Sequence, residues 1–132
     1  MGYKLFLDDI RVPVDCLLYI SNQELYKNNQ DWVIVRNYYE FINIIRNKGI
    51  PDVVSFDHDL ATEHYHEMNK GTKIDYDTAS EKTGYHCAQW LINHCIDNEF
   101  DLPKDIHIHS MNFYGGQNIK SLFNSYLKAY KK

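Results

Sequence analysis

Cysteine is scarce in this sequence, and the three that occur form neither a CxxC pair nor an even set. A disulfide framework usually needs an even number of cysteines, so none is expected here. Cys87 and Cys95 lie eight residues apart in a helical pattern, which places them on one helix face without bridging. We therefore expect reduced thiols that fill the core, as is typical of a cytoplasmic protein.

Long apolar runs and excess positive charge are also missing. No N-terminal stretch is apolar enough for a signal peptide or a membrane span, so we expect no membrane partner. Lys and Arg total 14 against 18 Asp and Glu, a net charge of −4. Affinity for duplex DNA depends on many basic contacts to phosphates, and this balance argues against it. A small phosphate ligand held by one or two arginines and a cation stays open.

Short apolar runs instead alternate with amphipathic segments over the 132 residues. The runs predict strands at residues 3–7, 32–35, 52–56 and 105–109. Helices are predicted from Ser21 to about residue 29, from Asn37 to Gly49, after Thr83 and after Gly115-Gly116. This alternation predicts one domain over residues 1–132, an α/β fold with a small, three-layer, open and mostly parallel sheet of four or five strands.

Two segments lack periodicity. Pro13 interrupts any helix or strand pairing, so residues 12–20 are predicted as loop. Residues 60–82 are polar and include His64 and His66. A loop of this length inside a compact domain is usually functional or mobile.

Acidic residues follow the first and third predicted strands: Asp8 and Asp9, then Asp57 and Asp59. In an open α/β sheet, the site lies beyond the carboxyl ends of the strands. Crowded carboxylates are unfavourable unless a proton or a cation neutralises them, and hard oxygen ligands suit Mg²⁺ or Mn²⁺. Asp8, Asp9 and Asp57 are therefore predicted metal ligands. The alternative is that these acids cap helices or lie in solvent.

Histidines near the same strand ends are candidates for acid–base chemistry, because imidazole titrates near neutral pH. His58 and His109 are the preferred catalytic candidates, together with Asp59. His86 and His107 are weaker candidates, and His107 also fits a core or edge position. A mixed His–Asp set could instead bind a transition metal.

Several other side chains at the strand ends suit phosphate. Arg11 and Arg36 each follow a strand, where a guanidinium can hold phosphate through two hydrogen bonds or pair with the acids. Ser110 and Asn112 follow the fourth strand and are predicted to hydrogen-bond a phosphate oxygen. Gly115-Gly116 before a helix could let backbone amides approach an anion. Ser55 lacks the strand-to-helix elbow of a hydrolase nucleophile.

Three strings resemble the motifs of the cyclic-phosphate-processing receiver-like domains. They are LFLDDIRVP at residues 5–13, SFDHDL at 55–60 and HSMNFYG at 109–115. The resemblance covers most of the chain. It implies a receiver-like (flavodoxin-like) fold and a role in removing or opening terminal cyclic phosphates on RNA or nucleotides.

A more distant similarity is to response-regulator receivers, in which an acidic pair and a later Asp hold Mg²⁺. Asp8, Asp9 and Asp57 match that set, and Ser110 falls where Ser or Thr is expected. The chain offers no obvious lysine after a fifth strand, and His58, His109 and Arg11 are foreign to the receiver scheme. These departures favour hydrolysis over phosphorelay signalling.

The leading hypothesis is thus a phosphoesterase dependent on Mg²⁺ or Mn²⁺, acting on a nucleotide or RNA terminus that carries a cyclic phosphate. Two alternatives stay open. The same pocket could bind a cyclic nucleotide without turnover, as a sensor or counter-defence sponge, or the chain could be a degenerate receiver used for protein contacts. The paired H-x-[ST] signature of metal-free two-histidine phosphoesterases is absent.

Overall fold

Four strands form one parallel sheet in the order β2-β1-β3-β4. The computed structural model describes residues 2–18, 20, 23–60, 83–110 and 112–130. In chain order the elements are β1 (Lys4–Leu7), a 3₁₀ helix (Pro13–Leu18), α1 (Gln23–Tyr26), a second 3₁₀ helix (Asn29–Asp31), β2 (Trp32–Val35), α2 (Tyr38–Lys48), β3 (Val53–Phe56), α3 (Gly84–Asn98), β4 (Asp105–Ile108) and α4 (Phe113–Tyr130). The predicted α/β receiver-like fold is confirmed, with four of the four or five predicted strands in the described ranges.

The two central strands are buried on both faces. Leu5, Phe6 and Leu7 of β1 and Val54 and Phe56 of β3 are buried, as expected for strands covered on both sides. The register pairs Leu7 with Phe56 and, on the other side, with Val35. Because all three strands end at the same level, the residues that follow them meet at one edge.

Helices α2, α3 and α4 pack on one face of the sheet around a core that includes Phe41, Leu91 and Phe123. The opposite face is covered by the connection from β1 to β2, through Cys16 and Tyr26. From β1 the chain moves to β2 at one edge of the sheet. The connections from β2 to β3 and from β3 to β4 move towards the other edge. Right-handed crossovers therefore place the connection from β1 to β2 on the other face, which produces the predicted three layers.

The predicted starts of the two middle helices are confirmed. The Asn37 side-chain oxygen accepts a hydrogen bond from the Glu40 amide at 2.9 Å, which caps α2. The helix ends at Gly49, whose φ of +90° favours glycine. At the start of α3, the Thr83 amide donates to Nδ1 of His86 at 3.0 Å.

Other boundaries differ from the sequence prediction. Residues 13–18 of the predicted loop form a 3₁₀ helix, and α1 spans only four residues instead of reaching residue 29. It cannot extend because Asn28 caps a separate 3₁₀ helix through the Gln30 amide. Ser21 and residues 61–82 lie outside the described residues.

The last helix begins at Phe113, so Gly115 and Gly116 lie inside its first turn and not before it. The cause is Asn112, whose side-chain oxygen accepts from the Gly115 amide at 2.8 Å and whose carbonyl accepts from the Gly116 amide at 2.9 Å. Both amides are therefore used by the helix cap, and the predicted approach of an anion to them is wrong.

The three cysteines are buried and unbridged, as predicted. None of the helices in the described ranges combines the length and the apolar character needed to cross a membrane.

Candidate metal centre and phosphate site

Asp8, Asp9 and Asp57 converge at the carboxyl end of the sheet. One carboxylate oxygen of each lies within 4.8 Å of the others. β1 and β3 are neighbours, and the Asp57 amide donates to the Leu7 carbonyl at 3.0 Å, which continues the strand pairing past the last β-residue. Asp8 and Asp57 are buried, and Asp9 is partly buried.

Asp8 carries the best-stabilised charge of the three. Its Oδ1 accepts from the amides of Ile10 at 2.9 Å and Arg11 at 2.8 Å, and its Oδ2 accepts from Nε2 of His109 at 3.0 Å. Arg11 Nη1 lies farther from Oδ2, at 3.3 Å. Burial opposes ionisation, but these hydrogen bonds outweigh it and lower the pKa of Asp8 to about 2.

The charged form of Asp57, in contrast, is disfavoured by its surroundings. Burial, together with the negative charge of Asp8, raises the pKa of Asp57 to about 7, although a hydrogen bond with Ser110 acts the other way. Burial and Asp8 also raise the pKa of Asp9. The cluster therefore has more carboxylate than its surroundings neutralise, which is the condition that a proton or a cation relieves.

A cavity of about 330 Å³ opens over these acids. Among the described residues it is lined by Asp8, Asp9, Ile10, Arg11, Asp57, Asp59, Ser110 and Asn112. The structure thus brings together seven of the ten site residues predicted from the sequence. The side chain of Asp59 is 36% exposed, and Asn112 Nδ2 lies 3.3 Å from its oxygens.

The other three predicted residues are not among the described residues that line this cavity: Arg36, His58 and His109. Arg36 Nη1 donates to the carbonyls of Asp8 at 3.1 Å and Arg11 at 2.6 Å, so it holds the loop after β1 in place. His109 has no exposed side-chain surface and contacts Asp8 from below. Neither side chain is among the described residues that line the cavity.

His58 lies on the far side of Asp59. Its Nδ1 is 2.8 Å from Oδ1 of Asp59, and its ring borders a second, larger cavity of about 780 Å³ between α3 and α4. Gly115 packs directly against that ring: a Cβ on this residue would lie 2.3 Å from Cγ of His58. His58 therefore orients Asp59 from behind.

Gly115→Ala is expected to displace His58 and to break its contact with Asp59. Overpacking of this kind destabilises a protein by ~1–3 kcal/mol. Gly116→Ala is the matched control, because its Cβ would meet only the Ile108 side chain, at 3.2 Å, and alanine favours the helix. Urea denaturation and the His58 ring resonances measure the effect. Equal stability of the two variants, with unshifted His58 resonances, would contradict this packing.

The sequence analysis missed Ser55 and Tyr26. Ser55 was considered only as a nucleophile, yet its Oγ lies 2.7 Å from Nδ1 of His109, and Tyr26 Oη lies 2.7 Å from the same Oγ. One signal was available in the sequence: Ser55 is the only polar residue of the apolar run that forms β3. Tyr26 carries no comparable signal in the sequence.

Comparison with known proteins returns one family. The protein-family model of the cyclic-phosphate processing receiver domain matches residues 3–125. No curated protein and no solved structure shows a significant match to the chain. The matched range includes both acid-bearing strand ends and all four strands.

Proposed function

Since this chain belongs to the cyclic-phosphate processing receiver domains, we propose that it is a metal-dependent phosphoesterase that opens or removes cyclic phosphates on RNA ends or nucleotides. One observation carries the proposal: Asp8, Asp9 and Asp57 meet within 4.8 Å in a cavity that Arg11 also lines. Carboxylates suit a cation and a guanidinium suits phosphate, so this pairing of charges fits a metal and a phosphate together.

The donor set fits a divalent cation. Three hard carboxylate oxygens are what Mg²⁺ or Mn²⁺ prefers, and Asp57, with its raised pKa, needs a positive charge to ionise fully at neutral pH. Asp8, Asp9 and Asp57 would hold the ion. When bound, such an ion polarises a phosphoryl oxygen and lowers the pKa of a coordinated water.

Arg11 supports a phosphate role. Its side chain is 30% exposed, and its Nη1 contact with Asp8 Oδ2 is the longest of the four that Asp8 accepts. This positive charge offsets Asp8 in the metal-free protein. A bound cation would offset the Asp8 charge instead, and Arg11, which lines the cavity, would contact a phosphate oxygen beside Ser110 and Asn112.

Ring opening is a hydrolysis: water adds to phosphorus, one ribose–phosphate P–O bond breaks, and the released ribose oxygen takes up a proton. Asp59 is suited to proton transfer because it lines the acid cavity, is partly exposed and is paired with His58. His58 would act through Asp59. His109 is too buried to contact a substrate, and its Nε2 instead contacts the Asp8 carboxylate.

The direct test is purified protein with Mg²⁺ or Mn²⁺, with and without EDTA, against 2′,3′-cyclic mononucleotides, an RNA with a cyclic end, 3′,5′-cyclic nucleotides and a cyclic dinucleotide. We expect conversion of at least one cyclic phosphate to a phosphomonoester, lost on addition of EDTA. Asp97→Asn, an exposed acid at the end of α3, is the matched control and should retain activity. Turnover that is unaffected by EDTA would contradict the proposal.

A binding module without turnover is the second candidate, and one observation favours it. The described lining of the acid cavity includes no imidazole, so acid–base chemistry there would depend on carboxylates. Saturable binding of one panel compound without product would select this alternative. Phosphate incorporation from a small phosphodonor, lost in Asp57→Asn, would instead support the degenerate receiver.

A further inference from the structure

A continuous line of buried polar groups runs from Asp8 in the acid cluster to Tyr26, which lies in the connection from β1 to β2 on one face of the sheet. Tyr26 Oη lies 2.7 Å from Ser55 Oγ, which lies 2.7 Å from Nδ1 of His109. Nε2 of His109 lies 3.0 Å from Oδ2 of Asp8. All four residues are at most 1% exposed, so water does not compete with these contacts.

Each hydrogen bond in this line has one direction. Ionised Asp8 can only accept, so Nε2 of His109 donates to it. A ring whose single proton is on Nε2 presents Nδ1 as an acceptor to the Ser55 hydroxyl, whose oxygen lies 2.7 Å away. The Ser55 oxygen then accepts from Tyr26, whose phenol stays protonated because burial raises its pKa to about 12.

Ring packing holds the line in place. The His109 ring is stacked on Phe6 with centroids 4.3 Å apart and planes 9° apart. The Tyr26 ring is stacked in turn on Trp32, with centroids 5.5 Å apart. The stacked Phe6 ring therefore restricts tilting of the imidazole out of its plane.

Packing does not explain why position 55 carries a hydroxyl group. The position lies in the centre of the sheet, on the face that buries Phe6 and Val53, where an apolar side chain would normally be found. A buried hydroxyl without a partner is unfavourable, so Ser55 depends on its contacts with Tyr26 and His109.

We propose that Ser55 and Tyr26 are positioning residues for the metal centre: they fix the orientation of the His109 ring, which holds the Asp8 carboxylate in the position that binds the cation. Groups that orient a metal ligand through a hydrogen bond typically change metal affinity by 10–100-fold when they are removed. The inference rests on the proposed function for the metal, but the contact between Ser55 and His109 exists in the metal-free protein and is tested there.

The test uses the full chain and Mn²⁺ alone as the probe. Ser55→Ala leaves Nδ1 of His109 without its donor, and Tyr26→Phe removes one hydroxyl while keeping the ring on Trp32. We expect Mn²⁺ affinity, measured by calorimetry, to fall about 10–100-fold in Ser55→Ala and less in Tyr26→Phe. In metal-free protein, the ¹⁵N shift of His109 Nδ1 should move when Ser55→Ala removes the hydroxyl that contacts this atom, while Nε2 keeps the proton that it donates to Asp8.

Val53→Ala is the matched control, because Val53 is buried on the same face of β3 but makes no bond to the line. It should lose stability without changing Mn²⁺ affinity or the His109 Nδ1 shift. Wild-type Mn²⁺ affinity and a wild-type His109 Nδ1 shift in both Ser55→Ala and Tyr26→Phe would overturn the proposal, and Tyr26→Phe alone decides it if Ser55→Ala does not fold. A wild type whose Nδ1 shift shows the Ser55 hydrogen bond but which binds no Mn²⁺ would overturn the metal assignment and this positioning role together.

Discussion

Asp57→Asn is expected to abolish metal-dependent activity and, at the same time, to make the metal-free protein more stable. The variant loses a ligand of the proposed ion, and removal of one such preorganised group lowers turnover by at least about 100-fold. It also removes a buried carboxyl whose ionisation burial and Asp8 oppose. The asparagine oxygen can still accept the hydrogen bond that Asp57 Oδ1 accepts from the His58 amide at 2.9 Å.

The size of the gain has a physical ceiling. A pKa raised from 3.8 to about 7 corresponds to at most about 4 kcal/mol of unfavourable ionisation free energy at pH 7.5. Urea denaturation in EDTA and again in saturating Mg²⁺ measures the two effects separately, with Asp97→Asn as the control. A metal-free Asp57→Asn protein less stable than the wild type, or one still stabilised by Mg²⁺ to the wild-type extent, would contradict this account of the cluster.

The stability advantage of Asp57→Asn over the metal-free wild type is expected to grow as pH rises from about 4 to 7. Because the folded-state pKa of Asp57 lies above its ordinary value, the folded wild type retains a proton that the unfolded chain has lost in this window. The stability that this proton contributes is complete below pH 3.8 and is lost by about pH 7. Asp8, with its pKa lowered to about 2, contributes its change only below pH 3.8.

The difference in stability between the two proteins isolates Asp57 from the other groups that titrate in this pH range. Burial lowers the pKa of His109 and of His107, which makes the folded state more stable as pH rises, opposite in sign to Asp57. These contributions are largely common to both proteins and cancel. Saturating Mg²⁺ should reverse the sign of the difference near pH 7, because only the wild type gains a bound ion. A pH-independent difference would show that Asp57 ionises normally.

A site residue could be predicted from the sequence where its position after a strand is enough to place it in the site. Asp8, Asp9, Asp57 and Asp59 were predicted to meet because each follows a strand, and parallel strands end at a common edge. That argument needs only the order of the elements. It needs no knowledge of which way any side chain points, and the structure places all four at one cavity.

The roles of the histidines could not be obtained in this way. His109 contacts Asp8 across 101 positions of sequence, and the contact depends on which face of the sheet the ring enters and on the stacked Phe6 beneath it. His58 contacts Asp59 but does not line the acid cavity, and its ring packs against Gly115 of α4. Nothing in the local pattern around either histidine specifies these neighbours.

The sequence by itself determined the alternation of strands and helices, the parallel sheet and the edge at which the acids gather, because these features follow from local periodicity and capping. Only the tertiary structure decided the sheet order, the placement of Arg36 under the loop after β1 and the line from Tyr26 through Ser55 to His109. Those features depend on side-chain directions and on contacts between distant segments, which are set when the layers pack together.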